Sequence, residues 1–112
     1  MINFTTPTIN LTVEGADISS MDVYVTLQQG AYELTKSGDD LTIQTETIGQ
    51  VTNTNISFTL SQEESASFKP KYSVAVQVNW INENGIRSAT EIKTIRVTPN
   101  LLDEVIAYES ES

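Results

Sequence analysis

The segment Tyr72-Ser73-Val74-Ala75-Val76-Gln77-Val78-Asn79-Trp80-Ile81 carries the strongest structural signal in this chain. Its aromatic and β-branched residues recur at every second position, and polar residues occupy most of the positions between them. This alternation predicts a long, half-buried strand. The next residues, Asn82-Glu83-Asn84-Gly85, predict a tight turn because glycine and asparagine tolerate positive φ angles. A β-rich stretch over residues 86–97 then returns, and the apolar face of the resulting hairpin requires a second sheet, as in a β-sandwich.

The returning strand changes its side-chain parity along its length. With a three-residue loop in the hairpin, Trp80 faces Ser88 and Ile92 shares the face of the inward valines, whereas Ile95 has the opposite parity. A β-bulge between Ile92 and Ile95 would restore the alignment. We therefore predict that this strand bends.

Alternating apolar residues predict strands throughout the rest of the chain. These strand signals are Ile9 to Val13, Met21 to Leu27, Ala31 to Lys36, Leu41 to Gln44, and Ile56 to Leu60. Residues 45–55 are polar and rich in threonine, and their pattern does not distinguish a strand from a loop. The fold class predicted from these signals is all-β, an immunoglobulin-like antiparallel β-sandwich with a short corner helix and a short C-terminal helix.

The corner helix is predicted after Leu60, where Ser61-Gln62-Glu63-Glu64 forms a helix-start pattern. The Ser61 hydroxyl can cap the first turn while Glu64 reaches back to it. About one or two helical turns fit before Lys69-Pro70. Two adjacent acids at a helix start are explained by capping and solvation, and adjacency gives neither acid the buried, convergent geometry of a glycosidase pair.

The C-terminal region divides from the sandwich at Thr98-Pro99. We predict a β-sandwich domain over residues 1–98, followed by a short amphipathic helix and acidic tail over residues 99–112. The apolar residues of this helix fall at helical spacing, and because so short a helix is marginal in water, it must dock on its own sandwich or on another chain. The predicted interface residues are Tyr24, which is out of phase with the inward residues of its strand, together with Leu101, Leu102, Val105 and Ile106.

Composition limits the chemistry that the chain can perform. The 112 residues include six basic and fifteen acidic residues, for a formal charge of −9, and contain neither histidine nor cysteine. So acidic a surface disfavours binding to nucleic acid or to anionic membranes. The missing residue types remove the usual base, the usual thiol nucleophile and the commonest metal ligands. We therefore expect no enzymatic activity, no catalytic residues and no metal or other cofactor, and the N-terminus has no signal-peptide pattern.

Three local patterns resemble binding or modification sites. Trp80 and Tyr72 could stack on a sugar if they faced outward, but their phase with the valines favours core packing. Asp39-Asp40 could bind calcium, but the segment lacks the length and acid spacing of a calcium loop. Asn55-Ile56-Ser57 matches a glycosylation acceptor, which without a secretory signal is a chance match.

The order of elements over residues 58–78 resembles a known layout. A strand ends in Leu60, a capped turn follows at Ser61, and a short basic turn leads to a strand that opens with Tyr72. This resembles small virion proteins of tailed bacteriophages and is similar to the N-terminal domains of upper baseplate proteins of phages of Gram-positive bacteria. Tyr72 after a corner helix also resembles the tyrosine corner of immunoglobulin-like sandwiches.

The resemblance implies a non-enzymatic structural component of a phage or prophage particle. Such a tail or baseplate accessory, adaptor or decoration protein would be made in the host cytoplasm and located in the virion. Its partners would be other virion proteins or further copies of itself, with no nucleic acid and no membrane. The alternative from a different class is a carbohydrate-binding or adhesin-like β-sandwich module, and a hydrolase built on Asp39, Asp40 or Glu83 is the weakest hypothesis because no base tuned near neutral pH is present.

Overall fold

The computed structural model describes residues 1–106, which fold into eight strands and one short helix. The strands are β1 (Thr8–Val13), β2 (Asp22–Gln29), β3 (Tyr32–Ser37), β4 (Thr42–Ile48), β5 (Val51–Thr59), β6 (Ser73–Ile81), β7 (Arg87–Ala89) and β8 (Lys93–Arg96). The helix α1 covers Gln62–Ala66, and a 3₁₀ turn at Gly38–Asp40 joins β3 to β4.

The strands form two antiparallel sheets. One sheet has the order β1-β5-β4, and the other has the order β3-β2-β6 with β7 and β8 both pairing with the free side of β6. The expected immunoglobulin-like β-sandwich is therefore confirmed. Strands β2 and β6 form the centre of the larger sheet, and their inward residues supply much of the core.

The core lies between the two sheets and follows the predicted alternation in β6. Val74, Val76 and Val78 are buried, and Trp80 at the end of the strand is half-buried against the core. Tyr72 is different: its side chain is 65% exposed, so its expected burial is wrong. The strand begins only at Ser73, and the positive φ of 74° at Lys71 turns the chain sharply just before it.

The strand that returns beside β6 bends, as the change in its side-chain parity predicted. Trp80 pairs with Ser88, whereas Val76 pairs with Lys93, so the register shifts by one residue between β7 and β8. Thr90 occupies the break, where its backbone N–H donates to the Val78 carbonyl at 2.9 Å and its hydroxyl accepts from the Val78 N–H at 3.1 Å. The predicted bend is confirmed, but the bulge lies between Thr90 and Lys93 rather than between Ile92 and Ile95, and Ile92 is exposed instead of sharing the inward face.

The polar segment left undecided by the sequence is a hairpin. Strands β4 and β5 pair along their length, from Thr42 opposite Ser57 to Ile48 opposite Val51. The two-residue turn between them has Gly49 at a φ of 65°, the position at which a two-residue hairpin loop favours glycine. Every residue over 44–51 is exposed, so the end of this hairpin stands clear of the sandwich.

The corner helix is capped as predicted. The Ser61 hydroxyl accepts from the Glu64 N–H at 3.1 Å, and the Glu64 carboxylate accepts from the Ser61 N–H at 2.9 Å. The C-terminal end of the helix is held by the buried Asn3, whose amide donates to the carbonyls of Ser65 and Phe68 at 3.0 and 2.8 Å. These contacts fix the helix against the N-terminal segment and stabilise the corner between β5 and β6.

The predicted C-terminal helix does not form in the described part of its range. Residues 101–106 make bends rather than helical turns, and residues 107–112 of the predicted helix and tail lie outside the described residues. The backbone is instead held by side chains from elsewhere. Gln62 exchanges two hydrogen bonds with the backbone of Ile106, at 2.8 and 2.9 Å, and Asn100 donates to the Asn3 carbonyl at 3.0 Å. These contacts favour an irregular, bent course over a helix.

Candidate protein-interaction surfaces

The sandwich has two distinct ends, which the course of β2 defines. We call the end at which β2 ends, at Gln29, and β6 begins the basal end. It also contains α1, the N-terminal segment and residues 97–106. At the apical end β2 begins and β6 ends at Ile81. The β4–β5 hairpin belongs to the apical end, because Thr54 near the base of its projecting part bonds to the backbone of Ala16 and Ile18, shortly before β2.

The basal end contains an open depression of about 580 Å³. The β2–β3 turn forms one wall, and the loop that joins α1 to β6 forms the other. The Gln29 amide ties the walls together, since its nitrogen donates to the Lys69 carbonyl at 2.9 Å and its oxygen accepts from the Lys69 N–H. Below them the Tyr32 ring meets the buried Phe68 ring edge-on, with centroids 4.9 Å apart. The depression is therefore a braced feature of the fold.

The loop beside the depression presents an aromatic ring and basic side chains. Lys71, at its positive φ, donates its N–H to the Val97 carbonyl at 3.0 Å and so turns Tyr72 outward. Lys69 lines the depression, and Arg96 pairs with Ser73 at its rim. Three of the six basic residues of the chain thus lie at or beside this depression. The acidic residues of the basal end are Glu33 in β3, Glu63 and Glu64 in α1, and Asp103 and Glu104 in the C-terminal segment.

Another basic residue, Lys36, is already neutralised by an ion pair. Its ammonium lies 2.8 Å from a carboxylate oxygen of Glu64, and both side chains are largely covered. Partial burial of Glu64 acts to raise its pKa, but the hydrogen bonds from Lys36 and Ser61 and the lysine charge outweigh that effect, so the pKa lies below its ordinary value. This pair joins β3 to the corner helix and is a structural contact.

The apical end is acidic and carries an apolar tip. Ile48 and Val51 face each other across the last pair of the β4–β5 hairpin and are 63% and 51% exposed. Glu46 lies on the same face as Ile48, two residues earlier. Acidic residues outnumber basic ones around this end; they are Glu14, Asp17, Asp22, Glu46 and Glu83, against Arg87.

One of these acids is held by its own turn. The Asp17 carboxylate accepts from the hydroxyl and the N–H of Ser19, at 2.6 and 3.0 Å. These two hydrogen bonds lower the pKa of Asp17, so the group carries its negative charge over the whole neutral range.

Tyr24 stands on the outer face of the larger sheet, where its phase placed it. The side chain is 43% exposed and borders a shallow cleft of about 360 Å³ together with Thr26, Asn79, Ile81 and Arg87. Two nitrogens of the Arg87 guanidinium donate to the Asn79 side-chain oxygen at 3.2 and 3.1 Å, which holds the arginine across the sheet. The role of Tyr24 as an interface residue stays a prediction.

The four predicted C-terminal interface residues lie on one short irregular segment and are all exposed. Leu101 is fully exposed, and Leu102, Val105 and Ile106 are 47%, 43% and 59% exposed. The sequence pattern missed the neighbouring basal residues Ile2 and Tyr72, which are also exposed, at 50% and 65%. The one signal in the sequence that could have indicated the basal surface is the pair of basic residues just before Tyr72, Lys69 and Lys71.

The candidate sugar-binding and calcium-binding residues do not form a site in the structure. Trp80 packs on the core near the apical end, whereas Tyr72 is exposed at the basal end of the same strand, about 26 Å away at the rise of an extended chain, so the two cannot form one sugar-stacking platform. Asp39 and Asp40 lie exposed in the 3₁₀ turn. Residues 1–106 contain no group of three or more acidic, histidine or cysteine side chains placed to hold a metal ion.

No helix within residues 1–106 is long and apolar enough to cross a membrane.

Comparisons with known proteins correct the functional expectation. No protein-family model and no curated protein matches the sequence. A solved structure that resembles the chain is AggA, the major subunit of aggregative adherence fimbriae type I from Escherichia coli, at 15% identity and a TM-score of 0.42, covering 88% of this chain and 85% of that one. The expectation of a phage or prophage particle component is therefore wrong: the resembling structure is a fimbrial subunit, and no relative supports a virion assignment.

Proposed function

We propose that this chain is a non-catalytic assembly module that associates with further copies of itself through the two ends of its sandwich. The observation that carries the proposal is the distribution of exposed apolar side chains. Among residues 1–106, eleven large apolar side chains are exposed, six at the basal end and three at the apical end. The basal six are Ile2, Tyr72, Leu101, Leu102, Val105 and Ile106, and the apical three are Ile48, Val51 and Ile86.

Contiguous exposed apolar residues at defined places mark interaction surfaces, whereas scattered ones do not. The basal group is held in position by the Gln62 and Asn100 contacts rather than free to fold back. Covering a fully exposed side chain of this size is worth about 1.5–3 kcal/mol, and a side chain that is half exposed gains a corresponding part of that. Association at both ends would supply that cover without changing the fold.

The test is the mass of the protein in solution, measured by light scattering after size exclusion over a wide range of concentrations. We expect species larger than the 12.3 kDa chain that grow with concentration. A double variant, Leu101→Asp with Ile106→Asp, should shift the protein toward the monomer, whereas Ile92→Asp, at the bulge between β7 and β8, should not, although Ile92 is about as exposed as Ile106. A wild-type protein that stays monomeric at every concentration would contradict the proposal.

A further inference from the structure

The two ends of the sandwich have complementary shapes. The apical end carries a projecting hairpin, while the basal end carries an open depression. The hairpin extends three residue pairs beyond the level of Thr54, which is about 10 Å at the rise of a β-strand. A projection at one end and a hollow at the other suit a head-to-tail contact between identical subunits.

We propose that the β4–β5 hairpin tip of one copy enters the basal depression of a second copy, so that subunits join head to tail. This inference rests on the proposed function and specifies its geometry. The tip offers Ile48 and Val51 as adjacent apolar side chains on one face. The depression offers the exposed Tyr72 ring as their partner.

The depression is large enough to receive the side chains of the tip. Its volume of about 580 Å³ lies within the range of about 300–1,000 Å³ that is typical of pockets for small-molecule ligands. Its walls are preformed, because Gln29 ties them together and Tyr32 is packed on Phe68. A rigid hollow loses little conformational freedom when it is filled, and this favours binding.

The charges of the two parts are complementary. Lys69 lines the depression and Lys71 lies in the same loop beside it, in a chain whose formal charge is −9. Glu46 is on the tip face beside Ile48, and Glu14 adjoins the hairpin because the neighbouring Gly15 N–H donates to Asn53 at 2.9 Å. Two copies placed side by side repel each other, whereas tip against depression brings opposite charges together. Added salt should therefore weaken the association.

A contact of this kind is heterologous, because a different surface of each copy takes part. Each subunit therefore keeps a free tip and a free depression after it joins a neighbour, and the assembly grows into rings or filaments rather than stopping at a dimer. This property makes the inference testable by blocking one surface at a time.

The experiment uses the full chain with two blocking variants, each with a matched control. Ile48→Asp blocks the tip, and its control is Ile92→Asp, since these isoleucines are 63% and 64% exposed. Lys69→Glu blocks the depression, and its control is Lys93→Glu. Sedimentation equilibrium should show that each blocking variant weakens self-association about tenfold or more, as for an interface anchor, while the controls match the wild type.

Mixing the two blocking variants gives the deciding result. The Ile48→Asp copy keeps its depression and the Lys69→Glu copy keeps its tip, so the mixture should form one-to-one dimers that neither variant forms alone and that do not grow further. Wild-type protein that associates while the blocking variants behave like their controls, or a mixture that yields no dimer, would overturn the head-to-tail geometry and leave the proposed assembly function standing. Wild-type protein that remains monomeric would overturn both.

Discussion

The root and the tip of the β4–β5 hairpin share one ladder of backbone pairs but differ completely in burial. At the root, Ile43 pairs with Ile56, and Ile56 is only 1% exposed. At the tip, Ile48 pairs with Val51, and both are more than half exposed. The two pairs belong to one ladder, but they lie five residues apart along each strand, so side-chain alternation puts one pair on the core face of the sheet and the other on its outer face.

The difference shows that pairing and burial have separate causes. The pairing follows from the two strands and their turn, because a two-residue loop sets the register of the whole hairpin. Burial depends on what lies opposite. Ile56 lies on the inner face, where the core side chains of the larger sheet cover it, whereas Ile48 and Val51 lie on the outer face of their sheet and have nothing over them.

The largest difference in stability is expected between two isoleucine-to-alanine substitutions, one at the root of the hairpin and one at its tip. Ile56→Ala should lower the free energy of unfolding by about 2–5 kcal/mol, because it removes buried methyl groups and leaves a cavity. Ile48→Ala should change it by less than about 0.5 kcal/mol, because the side chain is already in solvent. Urea denaturation followed by circular dichroism measures both. Equal losses for the two variants would show that the tip is packed in the folded protein.

A smaller effect is expected for a pair of threonines on one face of β5. The buried Thr54 hydroxyl accepts from the Ile18 N–H at 3.0 Å and donates to the Ala16 carbonyl at 2.8 Å. Thr54→Val should destabilise the protein by about 1–3 kcal/mol, because those two backbone groups lose their partner. Thr52→Val removes only the contact of its hydroxyl with Thr47 at the exposed tip and should cost less than about 0.5 kcal/mol. Denaturation of both variants under one set of conditions tests the comparison, and a neutral Thr54→Val would show that water replaces the hydroxyl.

The smallest effect on overall stability is expected at the turn. Gly49→Ala places a side chain at a φ of 65°, in open space, so the only penalty is a backbone strain of roughly 1 kcal/mol. Because the tip can open without the core, the strain should raise the hydrogen-exchange rates of Val51 and Thr52 and leave those of Thr54 and Ile56 unchanged. Faster exchange at Ile56 as well would mean that root and tip open as one unit.

Much of the fold could be predicted from local patterns. The alternation in β6, the capping box at Ser61 and the change of parity before Ile95 each have a mechanism that acts within a few residues, and all three are confirmed. The β4–β5 hairpin was left open because threonine and asparagine carry little hydrophobic periodicity. Its turn was nevertheless visible, since Ile48-Gly49-Gln50-Val51 places glycine first in a two-residue loop between β-branched residues.

The candidate surfaces were harder to predict than the strands. Tyr72 shares the parity of the buried valines, and only the turn at Lys71 moves it outside the strand. The apolar residues over 101–106 fit helical spacing, yet contacts with Gln62 and Asn3, which are distant in sequence, hold the segment in a bent, non-helical course. In both places a long-range backbone contact outweighs the local pattern.

Alternation, turn residues and capping act between near neighbours, and for that reason the sequence alone determines that this chain forms antiparallel strands with a capped corner and a bent final strand. Where a strand ends, how the C-terminal segment is held, and how the basic loop comes to border a depression depend on how the two sheets and the corner between them fit together. That is a relation between residues far apart in the chain, and only the packing of the two sheets decides it.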